Sequence, residues 1–214
     1  MAIFKIKRPK YKSRTARALT WDQVTEISDA LPEFLRRIVT VAALTGLRQG
    51  ELLALRDSNV DLKAATVTVQ EAKTEAGVRR VELPDLAVRL LAEQLFARPP
   101  GVELVFYAPK GGPLNRNVLM HRYFKPAVES VELQDITFHE LRHSFVSLMA
   151  SAGVHVSVIA EMVGHNDGGA LVLKTYRHLF PGETRRAADA LNDLVTATEE
   201  NVGVAAWCLL PRQS

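Results

Sequence analysis

Apolar residues recur every three to four positions over most of this chain, the spacing that gathers them on one face of an α-helix. The segment that starts at Pro32 is typical, because its apolar positions keep helical spacing up to Gly46, a natural C-cap. Thr20, followed three residues later by Gln23, predicts the capped start of the preceding helix, over residues 21–31. The whole pattern predicts helices over residues 21–31, 32–46, 84–96, 115–131, 137–153, 156–162, 170–179 and 182–195.

Two short segments instead alternate apolar and polar residues with a period of two, as β-strands do. They cover residues 65–70 and 78–83, and the turn at 73–77 joins them, so we predict a β-hairpin. Residues 104–106 are a candidate for a third short strand. The pattern therefore predicts a mainly helical α+β fold with a small three-stranded antiparallel sheet at one edge.

Composition narrows the class of protein. The 214-residue chain is 47% apolar, which is enough for a sizeable core. Its single cysteine, Cys208, excludes a disulfide within the chain and a cysteine-based zinc site. No apolar run is long enough to span a membrane, and no signal peptide is recognisable. We therefore expect a cytoplasmic protein that makes no membrane contact.

Charge is distributed unevenly along the chain. The net charge is only +3, but the first twenty residues hold seven basic residues and no acidic one, whereas the rest holds 20 basic and 24 acidic residues. We predict a basic arm or linker over residues 1–18 and a main domain over 19–195. Such an arm suits nucleic acid or another polyanion, and a solubilising tail is the alternative. Residues 196–214 form a C-terminal tail with an apolar stretch at 205–210, predicted to dock on its own domain or on a neighbouring protomer.

The richest candidate chemistry lies between Thr137 and Tyr176. Thr137, with a glutamate three residues later, has the spacing of a capping box and predicts a helix start. His139, Arg142 and His143 then share a face near that helix N-terminus, where an anion is favoured. Arginine grips phosphate bidentately, histidine moves protons near neutral pH, and tyrosine can be a nucleophile. The spacing does not decide which histidine faces the phosphate, and a solvated polar helix face is the alternative.

Two further charged residues stand out earlier in the chain. Arg48 lies among apolar neighbours, so its charge needs an anionic partner. Glu51 is the nearest partner, and a substrate phosphate, with Glu51 holding the guanidinium from behind, is the functional alternative. Lys73 lies at or just before the hairpin tip, where a lysine ordinarily discourages strand pairing.

The predicted helix over residues 115–131 is rich in basic side chains. These are Arg116, His121, Arg122 and Lys125. They are candidates for contacts with a phosphate backbone, and an ordinary solvated surface is the alternative.

Five pieces of this sequence, in this order, resemble the tyrosine recombinase (phage integrase) family. They are the segment Thr-Gly-Leu-Arg-Gln-Gly-Glu-Leu at residues 45–52, Lys73 at a hairpin, His-Glu-Leu-Arg-His at residues 139–143, Gly-His at 164–165 and Thr-Tyr at 175–176. The resemblance covers roughly residues 19–195. It implies the catalytic domain of an integrase or site-specific recombinase, which cleaves and rejoins DNA through a 3′-phosphotyrosyl intermediate.

The resemblance also implies how the phosphate is held and attacked. Tyr176 would attack a DNA phosphate and leave a free 5′-hydroxyl. Arg48 and Arg142 would grip the non-bridging oxygens, and His165 would add a hydrogen bond to them.

Proton transfer and support of the site fall to four other residues under the same resemblance. Lys73 would protonate the leaving 5′-oxygen, and His139 would assist proton transfer at the tyrosine. Glu51 and His143 would be supporting residues.

The resemblance implies no metal and no cofactor, because the phosphotyrosine conserves the bond energy. The implied partners are double-stranded DNA and further copies of the chain, as a tetramer on DNA in the full-length form and a monomer as a fragment. Family members usually carry an N-terminal core-binding domain, so we expect a catalytic fragment or truncated relative. A type IB topoisomerase is a near relative, but the Gly-Leu-Arg pattern at residues 46–48 favours the recombinase. A non-catalytic DNA-binding module and an assembly fragment are the remaining alternatives.

Overall fold

The computed structural model describes residues 17–70, 78–164, 169–177 and 188–193. Of these described residues, those up to Tyr176 belong to one compact unit, and those from Arg177 belong to a second. In the second unit the described residues 188–193 are helical, as expected for part of the helix predicted over 182–195. Lys73, His165, the basic arm up to residue 16 and the tail over 196–214 lie outside the described residues.

The first unit is built around helix α2 (Glu33–Thr45). It packs against α1 (Trp21–Asp29), α4 (Asp85–Phe96) and α7 (His139–Ser151). Six of its apolar side chains are at most 1% exposed: Leu35, Ile38, Val39, Val41, Ala42 and Ala43. A helix that is apolar on several faces must be covered on several faces, which explains its central position.

The start of α1 has the predicted capping box. Thr20 Oγ1 accepts a hydrogen bond from the Gln23 backbone N–H at 3.3 Å, and Gln23 Oε1 accepts one from the Thr20 N–H at 3.1 Å. Two N–H groups that would otherwise lack helical partners are thus satisfied.

A three-stranded antiparallel sheet in the order β1-β2-β3 follows the short helix α3 (Gln49–Ala54). Its strands are β1 (Val60–Asp61), β2 (Thr66–Gln70) and β3 (Val78–Glu82). The hairpin of β2 and β3 was predicted correctly, and Val67 pairs with Val81, both fully buried.

The prediction of a third strand at residues 104–106 was wrong. Leu104 makes only an isolated bridge with Arg56, and the Val105 N–H donates to the carbonyl of Leu55. This segment therefore pairs with the chain that leaves α3, and Val60–Asp61 supplies the third strand instead.

The basic helix predicted over residues 115–131 is present, but its centre is a π-helix. A first turn, α5 (Arg116–Val118), leads into the π segment Leu119–Phe124 and then α6 (Lys125–Ser130). The Lys125 N–H donates to the carbonyl of Met120, five residues back. Short π segments inside helices are often found at functional sites.

The predicted start of α7 at Thr137 was two residues too early. The Thr137 N–H and hydroxyl both donate to Glu140 Oε2, so this hydroxyl does not cap the helix, which begins at His139. The helix ends at Ser151, two residues before Gly153.

Two shorter helices complete the first unit. They are α8 (Val156–Val163) and α9 (Ala170–Tyr176), against predictions of 156–162 and 170–179. Within the described part of the chain, no helix has both the length and the apolar character needed to cross a membrane.

Candidate active site

Arg48 and Glu51 lie together at the start of α3. Glu51 Oε2 accepts from the Arg48 backbone N–H at 2.7 Å, and Glu51 Oε1 accepts from the Arg48 guanidinium at 2.8 Å. A second guanidinium nitrogen donates to the carbonyl of Gly164 at 3.1 Å. The Arg48 side chain remains 41% exposed, so the acidic partner expected from the sequence is present while part of the side chain faces solvent.

A third member of this network, Arg79 on β3, was not identified from the sequence. It donates to both carboxylate oxygens of Glu51, at 3.0 and 2.7 Å, and to the carbonyl of Met162 at 3.2 Å. The available signal was strand alternation, because Arg79 precedes the buried Val81 by two residues and therefore shares its face. An arginine on a covered face requires an anionic partner.

The Glu51 carboxylate is held in its charged form by these contacts. Burial raises the pKa of Glu51, but hydrogen bonds from the Arg79 side chain and from the backbone N–H and side chain of Arg48, together with the charge of Arg79, bring the pKa below its usual value. The side chains of Glu51 and Arg79 are only 12% and 11% exposed. Glu51 is therefore a fixed anion that holds two guanidinium groups at one side of the site.

Arg142 reaches the same place from α7. It is 4% exposed, and it donates to the carbonyls of Gly46 (at 2.7 Å) and of Val163. These carbonyls lie at the C-terminal ends of α2 and α8, where the helix dipole is negative. Arg142 thus joins three helices, and the partial negative charges at two helix ends compensate its own charge.

The two histidines of α7 have different surroundings. The rings of His139 and His143 meet edge to face, with centroids 4.6 Å apart. His143 Nδ1 is hydrogen-bonded to the hydroxyl of Tyr176, a residue of α9 that is 6% exposed. The structure therefore brings His143 to the tyrosine hydroxyl, whereas His139 was the residue expected to assist it.

Both imidazoles are held neutral. Burial is the largest cause, and with the neighbouring His139 and Arg142 it lowers the pKa of His143 to about 4, against the opposing charge of Glu140. Burial and the positive charges of Arg142 and Arg48 also lower the pKa of His139. At neutral pH each ring can therefore accept a proton on one nitrogen.

Several of these groups line a cleft of about 1020 Å³. Its lining includes Arg48, Gln49, Arg116, His139, Arg142 and Gly164. Two arginines that were predicted separately, 94 residues apart, thus line the same cleft, and Arg116 adds a third positive charge. Such a cleft suits an anion with several oxygens.

The other predicted site residues that the structure describes, apart from Glu51, are not part of the lining of this cleft. Tyr176 and His143 are next to the cleft without being part of its described lining. Arg122 lies over the ring of Tyr123, at 5.8 Å from its centroid, and Lys125 pairs with Glu129 at 3.7 Å.

Among the described residues there is no cluster of three or more histidine, cysteine, aspartate or glutamate side chains that could hold a metal ion.

Solved structures share this fold. XerA recombinase gives a TM-score of 0.66 at 23% identity, over 79% of this chain and 62% of that chain. The Tn1549 transposon integrase, solved in complex with circular intermediate DNA, gives 0.71 at 19% identity, over 84% and 68%. The fold is therefore that of a tyrosine recombinase catalytic domain.

The sequence is also similar to those of known proteins. The ICEBs1 integrase of Bacillus subtilis strain 168 is 30% identical over 179 residues, 73% of this chain and 48% of that protein. The integrase of Salmonella phage P22 is 27% identical over 209 residues, 92% of this chain and 52% of that protein. Residues 17–183 match the phage integrase family, and the chain belongs to that family. It spans about half the length of these relatives.

Proposed function

We propose that this chain is the catalytic domain of a site-specific DNA recombinase, which cleaves and rejoins double-stranded DNA through a 3′-phosphotyrosyl intermediate. The observation that carries this proposal is the cleft, which both Arg48 and Arg142 line. Tyr176 lies beside the cleft. Its hydroxyl is hydrogen-bonded to His143, whose ring packs against His139, a residue of the cleft lining. Membership of the phage integrase family supports the same reaction.

In the proposed reaction the Tyr176 oxygen attacks phosphorus while the bond from phosphorus to the 5′-oxygen breaks. Negative charge grows on the non-bridging oxygens, and fixed cations at that position stabilise the transition state. Arg48 and Arg142 supply these cations, with His165 as a further donor. The leaving 5′-oxygen takes its proton from Lys73, and attack by a 5′-hydroxyl on the phosphotyrosine reverses the step.

Glu51 supports this arrangement by fixing Arg48. Arg48 is 41% exposed, and without a partner its long side chain would sample many rotamers. The carboxylate of Glu51, itself fixed by Arg79, restricts that freedom. Because the Arg48 side chain is already held in place, it loses less conformational entropy when a phosphate binds.

Double-stranded DNA is the proposed partner. Arg116 lines the cleft and is the proposed contact with the phosphate backbone, with Arg122 and Lys125 as further proposed contacts along the same helical segment. The Tn1549 integrase, which shares this fold, was solved on DNA. We propose further that the full-length protein acts as a tetramer on DNA.

Covalent trapping tests the proposal. The natural chain, mixed with nicked duplexes of randomised sequence, should yield a DNA-shifted band under denaturing conditions, and Tyr176→Phe should abolish it. Tyr107→Phe is the matched control, because it removes another buried tyrosine hydroxyl, one that donates to the carbonyl of Ala97. An adduct that survives Tyr176→Phe would overturn the assignment. DNA binding without any adduct, unchanged by Tyr176→Phe, would support a non-catalytic binding module instead.

A further inference from the structure

The residue in contact with the Tyr176 hydroxyl is His143. The contact joins α9 to α7 through Nδ1 of the imidazole, and the two rings lie 5.6 Å apart at an interplanar angle of 52°. Tyr176 is 6% exposed, so its hydroxyl has little access to water and depends on a protein partner. The chain thus fixes the oxygen of its proposed nucleophile with an imidazole nitrogen.

The state of the imidazole decides what that contact can do. A tyrosine phenol in water has a pKa near 10, so at neutral pH it carries its proton and acts as a hydrogen-bond donor. Burial keeps His143 neutral, and so do the positive charges of His139, when it is protonated, and of Arg142. A neutral imidazole with its proton on Nε2 presents a lone pair at Nδ1, so it can accept both the hydrogen bond and the proton.

We propose that His143 orients the Tyr176 hydroxyl and accepts its proton as the tyrosine oxygen attacks phosphorus. This inference rests on the proposed recombinase function. The O–H bond of Tyr176 breaks and its proton moves to Nδ1, while the new oxygen–phosphorus bond forms and the bond to the 5′-oxygen breaks. The 5′-oxygen is protonated separately, by Lys73, so the charges and protons balance. His143 is then a catalytic residue, and His139, whose ring contacts that of His143, lines the cleft.

A bound phosphate would make this transfer easier. The low basicity of His143 arises from burial and from the positive charges of His139, when it is protonated, and of Arg142, while Glu140 on the same helix acts in the opposite direction. A phosphate between Arg48 and Arg142 brings negative charge close to both imidazoles, which favours the imidazolium form. The base is thus weak in the free protein and stronger once DNA is bound.

The hydrogen bond can be tested without DNA. In the natural chain labelled with ¹⁵N at histidine, NMR should show His143 at neutral pH with an unprotonated Nδ1 and a protonated Nε2. Tyr176→Phe should shift the Nδ1 resonance of His143 and leave that of the exposed His121 unchanged. A protonated Nδ1 in the natural chain, or no response to Tyr176→Phe, would overturn the proposal.

The proton transfer needs a kinetic test. In single-turnover cleavage of a nicked duplex, His143→Phe should slow adduct formation by roughly 100-fold or more, the usual range for loss of a general base. His143→Gln keeps a hydrogen-bond acceptor but cannot take the proton, so it should be nearly as slow. Recovery of the natural rate in His143→Gln would show that His143 only positions the hydroxyl, and would overturn proton transfer.

A more acidic phenol provides the sharpest comparison. Fluorotyrosine at position 176 loses its proton more readily, so it should recover much of the rate lost in His143→Phe. An equal defect with tyrosine and fluorotyrosine would overturn the assignment of His143 as the base. Unfolding curves of each variant check that the fold is retained. A natural chain that forms no adduct would overturn the proposed function, while the NMR experiment still decides the hydrogen bond.

Discussion

Glu51 is the residue that holds the guanidinium groups of Arg48 and Arg79 in place. Its carboxylate accepts hydrogen bonds from the backbone and guanidinium of Arg48 and from the guanidinium of Arg79. Arg79 in turn reaches the carbonyl of Met162 at the end of α8. The loss of this one negative charge would remove the anion that the guanidinium groups of Arg48 and Arg79 share, and the Arg79 side chain is only 11% exposed.

Glu51→Gln should therefore lower the free energy of unfolding by about 3 kcal/mol, the usual result when one partner is removed from a buried ion pair. The measurement is denaturant unfolding at neutral pH. Glu93→Gln is the matched control, because Glu93 is 58% exposed and pairs with Arg37 at the surface. It should cost less than about 1 kcal/mol. Equal losses for the two variants would contradict this view of Glu51.

The low pKa of His143 links stability to pH. The folded chain binds this proton only near pH 4, whereas an ordinary histidine binds it near 6.5. Between these values the unfolded chain binds more protons, so the free energy of unfolding should fall as the pH drops from 6.5 to 4. The contribution of this one group is at most about 1.4 kcal/mol per pH unit. Above pH 6.5 it has no effect.

The comparison that isolates this effect is the natural chain against His143→Phe, by denaturant unfolding at several pH values across that window. Because carboxylates titrate in both proteins, only the difference in slope reports His143. The variant should lose less stability on acidification than the natural chain. Parallel curves would show that the imidazole titrates normally in the folded protein.

At the scale of elements, the corner between α2 and α3 sets the position of both arginines. Gly46 ends α2 with a φ of +64°, and its carbonyl accepts the hydrogen bond from Arg142. Arg48 follows two residues later, at the start of α3. A Cβ at Gly46 would lie 2.5 Å from Cδ1 of Phe145 on α7, so the helices pack too closely here for any side chain.

Gly46→Ala should lower the free energy of unfolding by at least about 1 kcal/mol, from the left-handed backbone alone, with the steric contact in addition. Gly50→Ala is the control, because a Cβ there meets no atom within 4 Å and the residue lies inside α3. Its stability should be unchanged or raised by up to about 1 kcal/mol. Thermal and denaturant unfolding of the two variants measure the contrast, and similar losses would contradict it.

At the scale of the whole molecule, the chain is only weakly basic, yet three of its arginines line one cleft. The net charge is +3, and Arg48, Arg116 and Arg142 all line that cleft. An anion is therefore attracted by the local arrangement more than by the total charge.

Arg116→Gln should weaken DNA binding and lower the slope of log K against log salt concentration by about 1, because one phosphate contact is lost. Arg89→Gln is the control, since Arg89 is exposed on α4 and is not among the described lining of the cleft. Fluorescence anisotropy over a series of salt concentrations measures both. An unchanged slope for Arg116→Gln would place this side chain off the DNA.

Local sequence signals predicted most of the elements, for reasons that act within a few residues. The cap at Thr20, the stop at Gly46 and the hairpin of β2 and β3 all depend on neighbours close in sequence. The third strand was wrong because pairing at Leu104 was decided by a distant segment, around Arg56. The predicted start of α7 at Thr137 was wrong because the Thr137 hydroxyl donates a hydrogen bond to Glu140 and so does not cap the helix.

The sequence by itself determined which chemical groups this protein has and on which elements they lie. Arginine, histidine and tyrosine at their spacings, with the family resemblance, were enough to predict the fold and a candidate site. Only the tertiary structure decided which groups touch: Arg48 and Gly164 are 116 residues apart in sequence, and Gly46 and Arg142 are 96 apart. It also showed that Arg79 completes the ion pair and that His143 holds the tyrosine. The physical reason is that hydrogen bonds and charge compensation act through space, and helical periodicity does not specify which helices meet.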